Sequence, residues 1–60
     1  MFIATLNGKF LKGTPTEFGT SYNWVVDRID ASEFADEYIL ERTLHKIGFR
    51  HLAGLKIVKA

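Results

Sequence analysis

The 60-residue chain has no cysteine, one proline and no long apolar run. Without cysteine, neither a disulfide framework nor a cysteine-based zinc site can support the modest core that so short a chain buries. Apolar runs such as Tyr38–Leu40 are far shorter than the roughly 20 residues that span a bilayer, so we predict no transmembrane segment and no membrane partner. Met1–Thr5 also lacks the basic start and apolar stretch of a secretory signal. We therefore expect a complete small cytoplasmic protein.

The composition favours one packed domain over residues 1–60. Hydrophobic residues make up 47% of the chain, and aromatic residues 13%, which is more than a disordered chain carries. We therefore look for strands and helices that share a single core.

The first strong local signal is a hairpin turn at Asn7-Gly8, the dipeptide that best closes a two-residue β-hairpin. The eight residues Leu6–Gly13 resemble the first hairpin of the immunoglobulin-binding B domain of streptococcal protein G. The resemblance ends before the helix, and no counterpart of that domain's second hairpin follows. Because an Asn-Gly hairpin is favoured on any fold, we interpret the match as local convergence that implies no antibody binding.

The rest of the chain predicts a loop, a strand, a helix and a strand. Gly13–Thr20 is rich in glycine, threonine and proline and predicts a loop, whereas Tyr22–Ile29 is rich in aromatic and β-branched residues and predicts a strand. Asp30 and Glu33 fit a capping box, which predicts a helix over residues 31–47, closed by Gly48. The segment 52–60 predicts the last strand.

This order predicts an α+β domain. We expect a small antiparallel three-stranded sheet with one helix packed on it, in the order ββαβ, where the first strand can itself be a hairpin.

Two apolar stripes on the predicted helix suggest a binding surface. On a helical wheel, Phe34 and Ala35 fall on one side, and three further residues fall on roughly the opposite side. These are Leu40, Leu44 and Ile47. One sheet covers only one stripe, so we expect either the Gly13–Thr20 loop or a partner, including a second copy of the chain, to cover the other.

Tyr22 and Trp24 are candidate interface anchors, because large aromatic side chains bury much area at low entropic cost. The alternative is that Trp24 is a core residue beneath the helix.

Charge is divided along the chain, although the formal net charge is only +1. Residues 27–41 contain six acids and one base, and residues 42–60 contain five bases and no acid. The acidic residues of the predicted helix are Glu33, Asp36, Glu37 and Glu41. The basic residues that could bind nucleic acid, with Tyr22 or Trp24 for stacking, are Arg42, Lys46, Arg50, Lys56 and Lys59. A low net charge makes nucleic acid the weaker hypothesis.

No residue pattern indicates catalysis, a metal or a cofactor. His45 and His51 have neither a helical nor a zinc-finger ligand spacing. The serines and threonines lack a nucleophile-elbow pattern. We therefore predict a protein that binds and is not an enzyme.

In its order of elements the chain resembles the small accessory proteins of bacteriophages, which include inhibitors of host enzymes and of defence systems. The resemblance depends on the first strand after Met1, on Trp24–Val26 leading into Asp30–Glu33, and on the last strand Leu55–Val58. It implies a small regulator or inhibitor in the host cytoplasm. Such a protein would cover a surface of a larger host enzyme or defence complex, with the acidic helix residues meeting basic groups of the partner.

Overall fold

The structure, a computed structural model, describes all 60 residues as four strands, one α-helix and one short 3-10 helix. The elements in chain order are β1 (Phe2–Leu6), β2 (Lys9–Thr16), β3 (Gly19–Val25), the 3-10 helix (Arg28–Asp30), α1 (Glu37–Lys46) and β4 (Leu55–Lys59).

The strands form one antiparallel sheet in the order β3-β2-β1-β4. The α+β class is thus confirmed, but the sheet has four strands where the sequence predicts three. β1 and β4 pair along their full lengths, from Phe2 opposite Lys59 to Leu6 opposite Leu55. β1 therefore lies inside the sheet, and β3 and β4 form its two edges.

The predicted loop Gly13–Thr20 is wrong, because this segment forms the turn of a long hairpin and the strand ends that adjoin it. β2 and β3 pair from Phe10–Val25 to Thr16–Gly19 around the two-residue turn Glu17-Phe18. The Thr16 hydroxyl fixes this turn by donating to the Gly19 carbonyl at 2.7 Å and accepting from the Phe18 N–H at 3.2 Å. Side-chain hydrogen bonds and sheet pairing thus outweigh the loop-like composition.

The predicted turn at Asn7-Gly8 is confirmed. Asn7 has φ 48° and Gly8 has φ 85°. Two successive positive φ angles are the requirement of a type I′ turn, whose twist matches that of the flanking strands.

The segment 31–34 lies between β1 and β2, where these strands no longer pair with each other. Phe2 and Phe34 exchange backbone hydrogen bonds of 2.6 and 2.8 Å, and the Ser32 N–H donates to the Leu11 carbonyl at 2.9 Å. The Ser32 hydroxyl oxygen accepts from the Gly13 N–H at 2.8 Å. The predicted capping box at Asp30 and Glu33 is therefore wrong, since these residues flank an extended segment bound to the sheet.

The helix α1 begins at Glu37, with Asp36 as its N-cap. The Asp36 carboxylate accepts from the Tyr38 N–H at 2.7 Å, which satisfies one of the free donors of the first turn. The predicted end is confirmed: Gly48 has φ 80°, its N–H donates to the His45 carbonyl, and the Phe49 N–H donates to the Leu44 carbonyl.

The core lies between α1 and the sheet, and it contains one of the two predicted apolar stripes. Leu40 and Leu44 are 0% and 2% exposed and pack with Ala4 and Leu11, and Ile47 packs against them. The sheet covers this stripe, so both expected covers, the Gly13–Thr20 loop and a partner, are wrong. Since the helix starts after Phe34 and Ala35, these two residues do not extend it, and its sheet-facing stripe is the one around Leu40 and Leu44.

Candidate functional site

The two edge strands differ in how well they are protected against pairing with another chain. β4 has five residues and contains Lys56 and Lys59. β3 has seven residues, GTSYNWV, with no charged residue and no proline. Natural sheets protect their edges with lysine, proline or short strands, so β3 is the unprotected edge.

The hydrogen bonds of β2 indicate which backbone groups of β3 are free. Gly13 and Leu11 direct their backbone groups to Ser32, away from β3. In an antiparallel ladder, successive residues point their backbone N–H and C=O groups to opposite sides. Lys12, which lies between Leu11 and Gly13, therefore forms its backbone hydrogen bonds with β3, where its partner is Asn23. The β3 residues that point their N–H and C=O groups to the open edge are accordingly Thr20, Tyr22 and Trp24.

Exposed apolar side chains stand at both ends of β3. Phe18, just before the strand, is 93% exposed, and Val26, just after it, is 72% exposed. Ile29 follows in the 3-10 helix and is 92% exposed. Together with the unprotected backbone, Phe18, β3 and Val26 form a continuous segment that we call the β3 edge.

The side chains of Tyr22 and Trp24 pack against the core while their backbone lies at the edge. Both are partly buried against the core cluster, and the Trp24 ring lies 5.6 Å from that of Phe49, centroid to centroid, at an angle of 35°. For the Trp24 ring, the structure favours the core alternative. At the open edge, these two residues therefore present only their backbone N–H and C=O groups.

The four acidic residues of the predicted binding face do not share one face of a helix. Glu33 lies in the extended segment before α1, and the Asp36 carboxylate is engaged as the N-cap. Glu37 and Glu41 lie together beside Arg50, in a groove of about 300 Å³ between α1 and β4.

Three of the five predicted basic residues come together. Arg42, Lys46 and Arg50 line an open groove of about 610 Å³ on the outer side of α1. The Arg42 guanidinium carbon lies 5.9 Å from the centroid of the exposed Tyr38 ring, a cation–π distance. Lys56 lines the smaller groove instead, and Lys59 pairs with Phe2 at the far end of β4.

His45 lies in the basic groove, whereas His51 lies outside it, in the turn before β4. No group of three or more His, Asp or Glu side chains is placed to hold a metal ion. None of the helices has the length and apolar character needed to cross a membrane.

Comparison of the chain with protein-family models, with curated proteins and with solved structures finds no match.

Proposed function

We propose that this chain is a protein-binding domain without a catalytic role, which binds by adding a strand of a protein partner to the β3 edge. The observation that carries the proposal is a seven-residue edge strand without a charged residue, bordered by the exposed side chains of Phe18 and Val26. In strand addition, main-chain hydrogen bonds supply affinity and neighbouring side chains supply specificity.

The free groups at this edge fit a peptide backbone better than a small ligand. The outward N–H and C=O groups of Thr20, Tyr22 and Trp24 follow one another at every second residue, which is the spacing of a facing strand. Exposed apolar side chains at the ends would lose water contact when a partner covers them. A partner larger than the domain, whose surface the domain covers as a regulator or inhibitor does, is the finer form of this proposal.

The proposal is tested by capture of proteins from a nuclease-treated bacterial lysate with the tagged chain, quantified by mass spectrometry. The edge variant Ser21→Lys/Asn23→Lys changes two exposed residues of β3. Lysine on an edge strand opposes pairing, so we expect the variant to lose the proteins that the unchanged chain captures.

The matched control is Thr14→Lys/Ala53→Lys, which adds the same charge at two exposed positions outside β3. The control should retain the captured proteins. Capture of the same proteins by both variants, or the disappearance of every partner after nuclease treatment, would contradict the proposal.

The groove lined by Arg42, Lys46 and Arg50 favours single-stranded nucleic acid as a second candidate ligand, since it combines cations with the exposed Tyr38 ring. The test is binding of a fluorescent oligonucleotide over a range of salt concentrations. On this hypothesis Arg42→Ala/Lys46→Ala weakens binding and flattens its salt dependence. Equal binding by the two proteins would exclude the groove as the site.

A further inference from the structure

We infer that the strand added at the β3 edge is β3 of a second copy of this chain, paired antiparallel about a two-fold axis at Tyr22. This inference rests on the proposed function and names the partner for the same edge. It joins two four-stranded sheets into one continuous sheet, with a helix from each copy.

The register follows from which backbone groups are free. Within β3, only Thr20, Tyr22 and Trp24 point their backbone N–H and C=O groups to the open edge. These residues must therefore form the hydrogen-bonded pairs with the second copy. Centring the pair on Tyr22, the middle residue of Gly19–Val25, is the register that opposes the whole strand to itself. Each Tyr22 then faces the second copy's Tyr22, and each Thr20 faces the second copy's Trp24.

The same register brings the exposed apolar residues together. Phe18 and Val26 lie at equal distances along the chain from Tyr22, on its two sides. Phe18 of each copy therefore lies at the same end of the new ladder as Val26 of the other, just beyond the paired residues, so each end brings two exposed apolar side chains close together. These are two side chains that a single copy leaves 93% and 72% exposed.

No charge opposes the association within the strand. Ser21 comes opposite the second copy's Asn23, and both residues are uncharged. In a two-fold strand pair the residue on the axis meets its own copy and every other residue meets the one equally far beyond the axis, so charges of one sign in a strand approach one another across the interface. β3 has none, whereas β4 contains Lys56 and Lys59. The second copy is therefore assigned to β3.

The experiment measures the oligomeric state of the purified chain by sedimentation and by light scattering up to millimolar concentration. The unchanged chain should dimerise. Ser21→Lys/Asn23→Lys places lysine opposite lysine twice in each dimer, and Ser21→Glu/Asn23→Glu places glutamate opposite glutamate. Since like charges directly opposite each other destabilise a strand pair by about 0.2–1 kcal/mol, the two pairs should make each variant dimerise about two- to thirtyfold more weakly.

A mixture of the lysine and glutamate variants tests the register directly. The mixed dimer pairs each introduced lysine with an introduced glutamate, so it should form where neither variant dimerises alone. The variant Ser21→Glu/Asn23→Lys should dimerise by itself, because its glutamate faces the lysine of the other copy. Failure of both rescues, with thermal unfolding showing that every variant is folded, would overturn the Tyr22-centred pairing.

The remaining outcomes separate this inference from the proposed function. A chain that stays monomeric at millimolar concentration overturns the inference, yet edge-dependent capture of lysate proteins would still support strand addition. If Ser21→Lys/Asn23→Lys and the control Thr14→Lys/Ala53→Lys both dimerise as strongly as the unchanged chain, the dimer uses another surface. That result also overturns the inference. Loss of both dimerisation and capture on edge substitution supports strand addition at β3 and means that the second copy and the captured proteins compete for this one edge.

Discussion

A Cβ atom on Gly13 would lie 2.9 Å from Cε1 of Tyr22, the residue opposite it in the β2–β3 ladder. Real Cβ contacts of this length do not occur, so the tyrosine ring occupies the space that a side chain on β2 would need. Glycine at this position thus lets the Tyr22 ring lie flat across β2 and reach the core.

Gly13→Ala should destabilise the domain, because the added methyl group forces the Tyr22 ring away from its core position. Overpacking of this kind costs about 1–3 kcal/mol. Urea unfolding followed by tryptophan fluorescence measures the change, with Thr14→Ala on the neighbouring exposed position as the control. Equal unfolding midpoints for Gly13→Ala and the unchanged chain would contradict the prediction, since the Tyr22 ring would then move without a loss of stability.

Ser32→Ala should also destabilise the fold, since it removes the oxygen that accepts from the Gly13 N–H at 2.8 Å. Leaving a partly buried donor without a partner costs about 1–3 kcal/mol. Amide exchange of Gly13 reports the loss directly and should accelerate. Ser21→Ala removes an exposed serine hydroxyl instead and should leave both stability and exchange unchanged. A slow Gly13 amide in Ser32→Ala would contradict the assigned hydrogen bond.

Asp36→Ala should destabilise α1, because Asp36 is its N-cap and accepts from the Tyr38 N–H. Loss of an N-cap side chain costs about 0.5–2 kcal/mol. The control is Asp30→Ala, which removes the acid that the sequence pattern predicts as the cap. Thermal unfolding followed by circular dichroism compares the stability of the two variants. A larger loss of stability for Asp30→Ala than for Asp36→Ala would place the helix start at Asp30, as the sequence pattern predicts.

The helix start shows why local pattern and structure differ. Asp30 and Asp36 both have the chemistry of an N-cap, and the capping box favours Asp30. What decides between them is the exchange of backbone hydrogen bonds between Phe34 and Phe2, residues far apart in the chain. Local signals correctly predict the turn at Asn7-Gly8 that closes the β1–β2 hairpin and the end of α1 at Gly48.

The candidate site depends on the same long-range information. The lack of charge in Gly19–Val25 is visible in the sequence, but its meaning requires the strand order β3-β2-β1-β4, which makes β3 an edge. The predicted loop over Gly13–Thr20 covered the second half of β2 and the first two residues of β3, and so hid the hairpin that they form. The surface predicted from Leu40 and Leu44 proved to be core because the predicted helix started too early.

Glu17→Lys should strengthen the proposed dimer. In the Tyr22-centred register the turn residue Glu17 of each copy and Asp27 of the other, which follows Val26, lie beyond the same end of the ladder, so acids of the two copies approach each other at both ends. Reversing the charge of Glu17 replaces both repulsions with attractions. Exposed charge pairs contribute about 0.2–1 kcal/mol each, and each of the two contacts changes from repulsion to attraction, so the dissociation constant should fall by at least about fourfold at low salt. Sedimentation equilibrium measures the change.

The matched control is Glu33→Lys, which makes the same charge change at an exposed residue outside the β3 edge. It should leave dimerisation unchanged, and added salt should remove the difference between the two variants because exposed pairs are screened. Equal strengthening by Glu17→Lys and Glu33→Lys would mean that overall charge governs association, and the approach of Glu17 to Asp27 at the ends of the ladder would then be wrong. Strengthening by Glu17→Lys alone locates the contact at the ends of β3, where the register requires it.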